Sequence, residues 1–336
     1  MTVSVCMIVK NEEKVLARCL DSIADLAEEI IIVDTGSVDK TKEIAGRYTD
    51  KIYDFQWIND FSAARNYAFS LASMDYIYSA DADEVLDGEN RERFRILKDN
   101  LLPEIEIVQM KYGNQLENGT VYNFDEEYRP KLFKRLRTFT WIEPVHETVR
   151  LDPVVFDSDI VITHKPMENH GGRDIAIFTE RLEKGYALSN RLWEMYAREL
   201  FISGTDEELD KSEKYFRAFE EEVTDPELHK VICTVVARVA RLRNDADVFF
   251  KYAMKLIAGG DGCSEICFEL GAWYENRGDL NEAGLWFYNA YHETQPIIKL
   301  SCGGKEPLEH MAVIYERLGD SEQALYYRRM ADELGK

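Results

Sequence analysis

The amino-acid sequence predicts an α/β domain built on a parallel sheet, followed by an all-α domain of repeated helical hairpins. Three patterns support this prediction: apolar runs alternating with helical spacing over the first 85 residues, short β-like segments from about 104 to 163, and helical spacing with an internal repeat after about 173. The chain of 336 residues also exceeds what one hydrophobic core usually organises. We expect the α/β domain over residues 1–170, a helical connector over 171–231 and helical repeats over 232–336.

The first domain begins with a regular alternation of strands and helices. In chain order, the pattern predicts strands at 3–9, 29–33, 51–53 and 76–79, and helices at 12–26, from about 39, and at 61–72. These strands are apolar on both faces, which is typical of a parallel sheet that helices cover on both sides. Ligands of such sheets bind at the carboxyl ends of the strands.

Polar residues follow three of these strands at their carboxyl ends. Lys10-Asn11-Glu12 follows the first strand, Asp34-Thr35-Gly36-Ser37 the second and Asp81-Ala82-Asp83 the fourth. If the three strands are neighbours in the sheet, these loops converge on one crevice. The alternative for the second cluster is a glycine turn that caps the next helix.

The acidic segment after the fourth strand allows two interpretations. Two carboxylates at i and i+2, such as Asp81 and Asp83, can present oxygens to one divalent cation, which would let an anionic diphosphate bind an acidic protein. Alternatively, Asp83, Glu84 and Asp87 favour the positive end of the helix that follows. The position directly after a buried strand favours the cation site.

The composition argues against several classes of partner. The formal net charge is -22, and the acidic excess is similar in both halves, so nucleic acid and anionic membrane surfaces are poor partners. The start of the sequence lacks the features of a secretion signal, and no run of about 18 apolar residues occurs, which predicts a cytoplasmic protein without a membrane span. The six scattered cysteines predict buried, reduced thiols, because no second thiol or histidine pair completes a metal site with Cys263 and Cys267.

Four motifs in the first domain occur in an order that resembles family 2 glycosyltransferases of the GT-A fold. They are VCMIVKNE at 5–12, IVDTGSVD at 32–39, ARNYA at 64–68 and DAD at 81–83. The resemblance covers about residues 1–170. It implies an inverting transfer from a nucleotide-diphosphate sugar, usually a UDP-sugar such as UDP-hexose or UDP-N-acetylhexosamine, aided by Mg²⁺ or Mn²⁺.

The same resemblance implies roles for individual residues. Asp34 would contact the nucleotide base, Asp81 the ribose or the metal, and Asp83 the metal that bridges the two phosphates. Val9 and Asn11, at the end of the first motif, would belong to the nucleotide site.

Three further positions bear on this site. Arg65 lies in a helix that should pack beside the crevice, where its guanidinium would brace Asp34 or a phosphate; an ordinary helix-surface arginine is the alternative. His164 is placed like the histidine that closes the nucleotide and metal site in some GT-A enzymes. Thr35 stands where many family members carry a second acid, directly after the residue that matches Asp34.

The segment from about 104 to 163 is expected to carry the acceptor side. Residues 129–137 contain five basic side chains in a chain that is otherwise acidic. These side chains would face a phosphate or an acidic acceptor. Alternatively, they would lie on an edge strand, where their charge prevents pairing with a strand of another chain.

An inverting transfer needs a base that takes the proton of the attacking group, and a carboxylate is sufficient. Glu147 is the candidate base, because Val145-His146-Glu147 resembles a triplet in a subset of family 2 enzymes that lack the more usual Glu-Asp motif. His146 would orient Glu147 or reach the substrate, and Glu143 is the alternative base. Structural ion pairing is the alternative for each of these residues.

The last third of the sequence repeats itself. Residues 270–290 align with 311–330, with Gly278-Asp279 matching Gly319-Asp320, and an earlier unit over 239–256 places Asn244-Asp245 at the same point. A helical hairpin of about 34 residues with this turn resembles a tetratricopeptide repeat. Stacks of such hairpins bind peptides or another subunit, so we expect a peptide or protein acceptor and a homodimer through the repeats.

This layout is similar to that of glycosyltransferases that modify peptides or proteins, including the S-glycosyltransferases of glycosylated bacteriocins. A polysaccharide or lipid-linked acceptor stays open, and so does a non-catalytic scaffold that binds a nucleotide sugar. A nucleotidyltransferase would also use paired acids on an α/β sheet, but the glycine-rich, basic first turn of that class is missing from the sequence.

Overall fold

A computed structural model describes residues 1–113, 126–149, 153–165, 171–260 and 262–334 of the chain. The described residues up to 165 form one compact unit, and those from 171 onwards form a second.

In the first unit, strands and helices alternate over about the first hundred residues. Its strands are β1 (Val3–Val9), β2 (Glu29–Asp34), β3 (Ile52–Asp54), β4 (Tyr76–Ala80), β5 (Glu84–Val85), β6 (Ile107–Gly113), β7 (Glu126–Lys134), β8 (Trp141–Ile142), β9 (Thr148–Val149) and β10 (Val155–His164). Its helices are α1 (Leu16–Ile23), α2 (Thr41–Ala45), α3 (Phe61–Leu71) and α4 (Gly88–Asn100). The four strands predicted in the first 85 residues are confirmed, each within one residue of its expected bounds.

The described strands build one main sheet in the order β3-β2-β1-β4-β7-β6-β10-β5, and β8 and β9 form a separate two-stranded pair. β1 lies between β2 and β4 and is parallel to both, so that Val9 pairs with Asp34 and Met7 pairs with Ala80. The polar segments after these three strands therefore meet at one edge of the sheet, as the sequence predicts.

The parallel arrangement holds for the first four strands, but the complete sheet is mixed. β7 is antiparallel to β4 and to β6, whereas β6 and β10 are parallel. Because β7 lies between β4 and β6, the interpretation of the basic segment at 129–137 as an edge strand is wrong. One of the short β-like segments that the sequence predicts between about 104 and 163, at 121–124, lies outside the described residues.

Both faces of the sheet are covered by apolar side chains. Successive residues of a strand point to opposite faces, so Val5 and Met7 join a buried cluster with Leu20 of α1 and Phe94 of α4. Cys6 joins the opposite cluster, which includes Phe69 of α3. β1, β2 and β4 are buried along almost their whole length, because helices cover both faces of this part of the sheet.

The second unit is entirely helical in its described residues. Its helices are α5 (Gly171–Glu183), α6 (Asn190–Ile202), α7 (Asp206–Glu220), α8 (Pro226–Leu242), α9 (Ala246–Gly259), α10 (Ser264–Glu275), α11 (Leu280–His292), α12 (Lys305–Arg317) and α13 (Ser321–Leu334). The expected boundary between residues 231 and 232 falls inside α8, the helix that precedes the Asn244-Asp245 turn.

The three aligned turns of the repeats share one geometry. Asn244, Gly278 and Gly319 have φ values of +59°, +77° and +82°, which end the preceding helix in a left-handed residue. Asp245 and Asp279 then cap the next helix, α9 and α11 respectively, through a side-chain oxygen. This shared turn explains why the repeat can be recognised in the sequence. Each turn needs a left-handed residue, which favours Gly or Asn, followed by an N-cap, which favours Asp.

Small residues allow the helices of each hairpin to pack closely. Ala283 of α11 and Ala324 of α13, which the sequence aligns, are both buried. Gly271 of α10 faces Phe287 so closely that an added Cβ would lie 2.8 Å from the ring. The segment between α11 and α12 accounts for the longer second repeat offset.

Two expectations from composition can also be compared with the fold. The six cysteines are all buried and free, which agrees with the expectation of buried thiols. Within the described residues, helices with the length and apolar character needed to cross a bilayer do not occur.

Candidate active site at the carboxyl ends of the strands

Asp34 ends β2 and holds the turn that follows. Its Oδ1 accepts the backbone N–H groups of Gly36 and Ser37, each at 2.9 Å, and Gly36 adopts a φ of +106° that favours glycine. Its Oδ2 is buried and has no hydrogen-bond partner in the part of the chain that the structure describes. Because a buried oxygen without a donor is unfavourable, Asp34 offers an unused acceptor for a ligand N–H.

The end of β1 is tied to the same turn by short hydrogen bonds. Thr35 donates from its backbone N and from Oγ1 to the carbonyl oxygen of Val9, at 3.0 and 3.1 Å. Asn11, with a φ of +57°, donates its backbone N–H to Ser37 Oγ and accepts the Val38 N–H at Oδ1, both at 2.9 Å. Val9, Asn11 and Thr35 therefore hold the two loops together, and the Thr35 hydroxyl is used within the protein.

The turn after β4 carries the predicted metal ligands. Glu84 Oε2 accepts the Asp81 N–H at 3.2 Å, and the Lys165 N–H donates to the Asp83 carbonyl oxygen at 3.0 Å. In the pairing of β5 with β10, Glu84 lies opposite His164. This register brings the His164 Nε2 to 2.9 Å from Asp83 Oδ2, and both side chains stay partly exposed to solvent.

Two cations balance the charge of Asp81. Arg65 donates to Asp81 Oδ1 at 2.8 Å, and Lys131 Nζ lies 3.5 Å from Oδ2. Lys131 also pairs with Glu84, and these two side chains are only 6% and 3% exposed. An ion pair this deeply buried needs each partner to compensate the desolvation of the other.

These contacts move the pKa values of both carboxyl groups. Burial alone would raise the pKa of Asp81, but the positive charges of Arg65 and Lys131 outweigh burial and hold that pKa well below its ordinary value. Burial raises the pKa of Glu84, with Lys131 opposing the shift and the negative charge of Asp81 adding to it. The charge of Asp81 is thus already matched by cations of the protein itself.

Arg65 connects Asp81 to the candidate base. Its Nη2 contacts Asp81, its Nε pairs with Glu147, and its Nη1 donates to Ser79 Oγ at 3.0 Å. Of the two expected partners of Arg65, Asp34 is wrong, because the described contacts of the guanidinium are with Asp81, Glu147 and Ser79, and contact with a phosphate stays a prediction. The alternative of an ordinary surface arginine is wrong as well, since the side chain is only 14% exposed.

The neighbouring Asn66 positions the segment that contains Glu147. Its Nδ2 donates to the Trp141 carbonyl oxygen at 2.9 Å, and its Oδ1 accepts the Trp141 N–H at 2.8 Å. The backbone N–H of Phe61, at the start of α3, donates to the Pro144 carbonyl oxygen at 2.8 Å. One helix therefore holds the segment from 141 to 147 against the strand ends.

Glu143 and His146 lie in this same segment with unusual backbone angles. Their φ values are +70° and +50°, a left-handed conformation that costs a residue other than glycine of order 1–3 kcal/mol. Both side chains are half-buried. These backbone angles set the direction in which the side chains of Glu143 and His146 leave the segment beside Glu147.

The basic side chains of the segment at 129–137 make contacts in two places, some near the strand-end site and the others away from it. Arg129 places its guanidinium 4.1 Å from the centre of the Tyr112 ring, and that ring lies 5.3 Å from the ring of His164. Lys134 and Arg135 donate to backbone carbonyls, and Arg137 pairs with Glu106. Only Arg129 and Lys131 of the five basic residues thus extend toward the strand-end carboxylates or His164 in the described contacts.

Sequence reasoning missed three residues that hold this site. In the sequence, Lys131 is one residue of a basic segment, Glu84 is one of the acids before a predicted helix, and Asn66 is part of the ARNYA motif. None of these patterns indicates the contacts that the three side chains make. β7 contains Glu126, Glu127, Arg129 and Lys134 besides Lys131, so the sequence carries no signal that singles out Lys131 as the buried basic residue. Of the acids proposed as helix caps, Asp87 does cap α4 by accepting the Asn90 N–H at 2.9 Å.

Comparisons with known proteins agree with the motifs. Residues 4–146 match the family model Glycosyl transferase family 2, so the chain contains a domain of this family. Together with the observed sheet and the helical hairpins, this match confirms the predicted fold class of a GT-A domain followed by tetratricopeptide-like repeats.

Three relatives illustrate how far the similarity extends. A TPR repeat-containing protein of Synechococcus elongatus is 49% identical over 84 residues, which are 25% of this chain and 21% of the relative. The glycosyltransferase SunS of Bacillus phage SPbeta is 38% identical over 92 residues, 27% of this chain and 22% of the relative. A glycosyltransferase of Rickettsia typhi is 29% identical over 171 residues, 47% of this chain and 54% of the relative. The chain thus matches about a fifth of the length of the first two relatives and about half of the third.

Among solved structures, one similar chain is glucosyl-3-phosphoglycerate synthase from Mycobacterium tuberculosis, in complex with Mn²⁺, UDP and glucosyl-3-phosphoglycerate. Its TM-score is 0.40 at 19% identity, over 56% of this chain and 82% of the other.

The buried pair of Lys131 and Glu84 leads to a prediction about stability. Lys131→Met leaves the Glu84 carboxylate buried without its cation, so we expect the free energy of unfolding to fall by about 3–5 kcal/mol. Urea unfolding followed by circular dichroism measures this change. The double variant Lys131→Met/Glu84→Gln should recover at least half of the loss, because the remaining group is neutral.

Lys134→Met on the same strand is the matched control. Lys134 contacts only a backbone carbonyl in its described hydrogen bonds, so its loss should cost no more than about 1.5 kcal/mol. Equal, small effects of the two lysine substitutions would contradict the importance of the buried pair.

Proposed function

We propose that this family 2 glycosyltransferase domain transfers a sugar from a UDP-sugar, with inversion at the anomeric carbon and with a divalent cation, to a peptide or protein side chain. The observation that carries the proposal is the pairing of Asp83 with His164 at the carboxyl edge of the sheet, directly beside Asp81. UDP-hexose and UDP-N-acetylhexosamine are the donor classes that we propose.

The donor atoms beside Asp83 suit Mg²⁺ or Mn²⁺. A carboxylate oxygen and an imidazole nitrogen 2.9 Å apart, both partly exposed, are suitable ligands for one cation. Asp81 differs, since Arg65 and Lys131 already balance its charge. We therefore propose Asp83 and His164 as the main protein ligands and Asp81 chiefly as the acceptor for the ribose hydroxyl groups. A bound cation would neutralise the diphosphate that leaves with the nucleotide.

The nucleotide base is proposed to bind at Asp34. The unpartnered Oδ2 of Asp34 would accept the N3–H of uracil, and the Oδ1 contacts to the turn hold the carboxylate in place. Val9 and Asn11 would act indirectly, by keeping the loop after β1 against this turn.

Glu147 is proposed as the base that takes the proton of the attacking group. Its carboxylate is fixed by Arg65, and the segment that carries it is fixed by Asn66 and α3. A positioned carboxylate of this kind lowers the barrier because it removes the proton as the new bond to the anomeric carbon forms. His146 and Glu143 are the neighbouring candidates for orienting the acceptor.

The proposed acceptor is a polypeptide. The tetratricopeptide-like hairpins support a polypeptide, because stacked hairpins present surfaces that bind extended or helical peptides. A homodimer through the repeats is supported by exposed apolar side chains on the last helix, Leu325 and Tyr326 among them. The homodimer and the cytoplasmic location stay predictions.

The first test concerns donor and cation together. With a panel of nucleotide sugars and Mn²⁺, the wild-type protein should release a nucleotide diphosphate from one UDP-sugar, with water as a poor acceptor. Asp83→Asn should abolish this hydrolysis and the effect of Mn²⁺ on UDP affinity, while its melting temperature stays close to wild type. The reason is that an amide is a much weaker ligand for a hard cation than a carboxylate.

Asp87→Asn is the matched control for this test. Asp87 lies on the same acidic segment but caps α4, and asparagine caps helices equally well. Calorimetry with UDP, with and without Mn²⁺, compares the two variants. If Asp83→Asn binds UDP with the same Mn²⁺ dependence as wild type, the cation assignment is wrong; if no donor is hydrolysed by any variant, the scaffold alternative is favoured.

The second test concerns the base of the nucleotide. Asp34→Asn keeps an oxygen for the turn but replaces the unpartnered acceptor with an N–H₂ donor. We expect UDP binding to weaken by at least about tenfold, since a donor would then face the uracil N3–H. CDP, whose cytosine N3 is an acceptor, should lose less affinity, so the preference for UDP over CDP should fall in calorimetric titrations.

Asp54→Asn serves as the comparison for Asp34. Asp54 pairs with Asp34 in the register of β2 and β3 and contacts the same Lys42, but its side chain is 78% exposed. Its UDP affinity should remain within about threefold of wild type. An unchanged UDP to CDP ratio in Asp34→Asn would exclude the proposed contact with the base.

The third test concerns proton transfer. Glu147→Gln preserves the shape of the side chain and an oxygen for Arg65, but the amide cannot accept the proton. Turnover should fall by at least about 100-fold, with UDP affinity within about threefold of wild type. Glu143→Gln is measured in parallel, and a small effect at Glu147 with a large one at Glu143 would transfer the role of the base to Glu143.

A further inference from the structure

The helical unit contains a cluster of three different metal-binding side chains that the proposed sugar transfer does not use. Glu220 is the last residue of α7, and His229 and Cys233 lie four residues apart on α8. Residues four apart lie on the same face of a helix, so His229 and Cys233 both face the end of α7. We refer to these three side chains as the α7–α8 cluster.

The distances within the cluster are those of ligands around one cation. His229 Nε2 lies 3.1 Å from Glu220 Oε1 and 3.6 Å from Cys233 Sγ, and one ligand atom from each residue lies within 4.8 Å of the others. A tetrahedral zinc site with Zn–N and Zn–O bonds near 2.1 Å and a Zn–S bond near 2.3 Å has edges of about 3.4 Å and 3.6 Å. The observed nitrogen–oxygen and nitrogen–sulfur separations are close to these edges.

The surroundings suit a site that a cation can enter. Cys233 is buried, Glu220 is 13% exposed and His229 is 34% exposed, so the thiol is at the bottom of the cluster and the imidazole at its opening. The sulfur and nitrogen ligands together select a transition metal over Mg²⁺ or Ca²⁺. This choice separates the cluster from the proposed cation site at Asp83 and His164, which has no thiol among its proposed ligands.

We propose that Glu220, His229 and Cys233 bind one Zn²⁺ ion, which ties the end of α7 to the first turns of α8. The short connection between these helices is already ordered by Asp225, which caps α8 by accepting the N–H groups of Glu227 and Leu228. The metal would add a second link between α7 and α8, at the start of the first repeat hairpin. Zinc that binds only the folded pair of helices stabilises it.

Lys255 of α9 is the residue that opposes the metal. Its ammonium group contacts Glu220 Oε1, and the side chain is 35% exposed. Oε1 is the same oxygen that lies beside His229. A carboxylate has two oxygens, so Glu220 can bind the metal through Oε1 if Lys255 moves to Oε2 or turns into solvent. Lys255→Met therefore removes a competing positive charge and should tighten metal binding.

Cobalt(II) is the probe that distinguishes this site from other cation sites. The full-length protein is freed of metals with a chelator and titrated with Co²⁺, which gives a charge-transfer absorption band only when a thiolate binds it. We expect a band that saturates at one equivalent in the wild-type protein and that disappears when Zn²⁺ is added. Cys233→Ser should lose the band, and His229→Gln should weaken Co²⁺ binding by at least tenfold.

Cys267→Ser is the matched control, because Cys267 is also a buried thiol on a helix of this unit but lies outside the cluster. It should keep the band, and Lys255→Met should reach half-saturation at a lower Co²⁺ concentration than wild type. Circular dichroism establishes that each variant is folded. If Cys233→Ser does not fold, the test rests on His229→Gln and Lys255→Met, because these side chains are partly exposed and their substitution disturbs the core less. A wild-type protein without the band, or a folded Cys233→Ser that keeps it, would overturn the proposal.

Discussion

Asp81 lies between the guanidinium of Arg65 and the ammonium of Lys131, and the geometry of the strand-end site depends on these two contacts. Asp81, Asp83, Glu84 and Glu147 bring several negative charges to one partly buried edge of the sheet. Without nearby cations, like charges at such distances repel strongly because the surroundings screen them poorly. Arg65 and Lys131 remove this difficulty, and each also binds a second carboxylate.

The mixed topology of the sheet is what supplies one of these cations. β7 lies antiparallel beside β4, and Leu132 pairs with Tyr78. Lys131, which precedes Leu132 in the chain, therefore lies close to the carboxyl end of β4, and its Nζ is 3.4 Å from the Ser79 carbonyl oxygen. A purely parallel sheet would direct the start of a neighbouring strand to the opposite edge. The change in strand direction after β4 thus converts a scaffold of the open α/β type into a charged site with its own counter-ions.

The sequence predicts those features of this protein that depend on local patterns. The strands of the first half, the glycosyltransferase motifs and the Gly-Asp turns of the repeats are all visible because periodicity and turn chemistry act over a few residues. The contacts that build the site join residues far apart in the chain, such as Arg65 with Glu147 and Lys131 with Glu84. One sequence carries no record of such pairs, so it leaves several partners open for Arg65, Asp34 or a phosphate among them, and an edge strand as one interpretation of the basic segment.

The same limit applies to the α7–α8 cluster. His229 and Cys233 have the spacing of a helical ligand pair, but a single pair is a weak signal, and the cysteines at 263 and 267 show the same spacing. The pair of His229 and Cys233 differs because the turn between α7 and α8 places Glu220 beside the face of α8 that carries both residues, where Glu220 contacts His229. Ligand sets become specific only when a third group from another element is placed beside them.

Arg65 has a further consequence for the proposed chemistry, because one guanidinium holds both Asp81 and Glu147. A donor that draws Asp81 toward its ribose changes how much of the guanidinium charge is shared with Glu147. Conversely, a change at Glu147 releases Arg65 toward Asp81. Residues that share a partner in this way show non-additive effects when both are changed. Donor binding and proton acceptance would then be coupled through Arg65, even though the two carboxylates lie on separate segments of the chain.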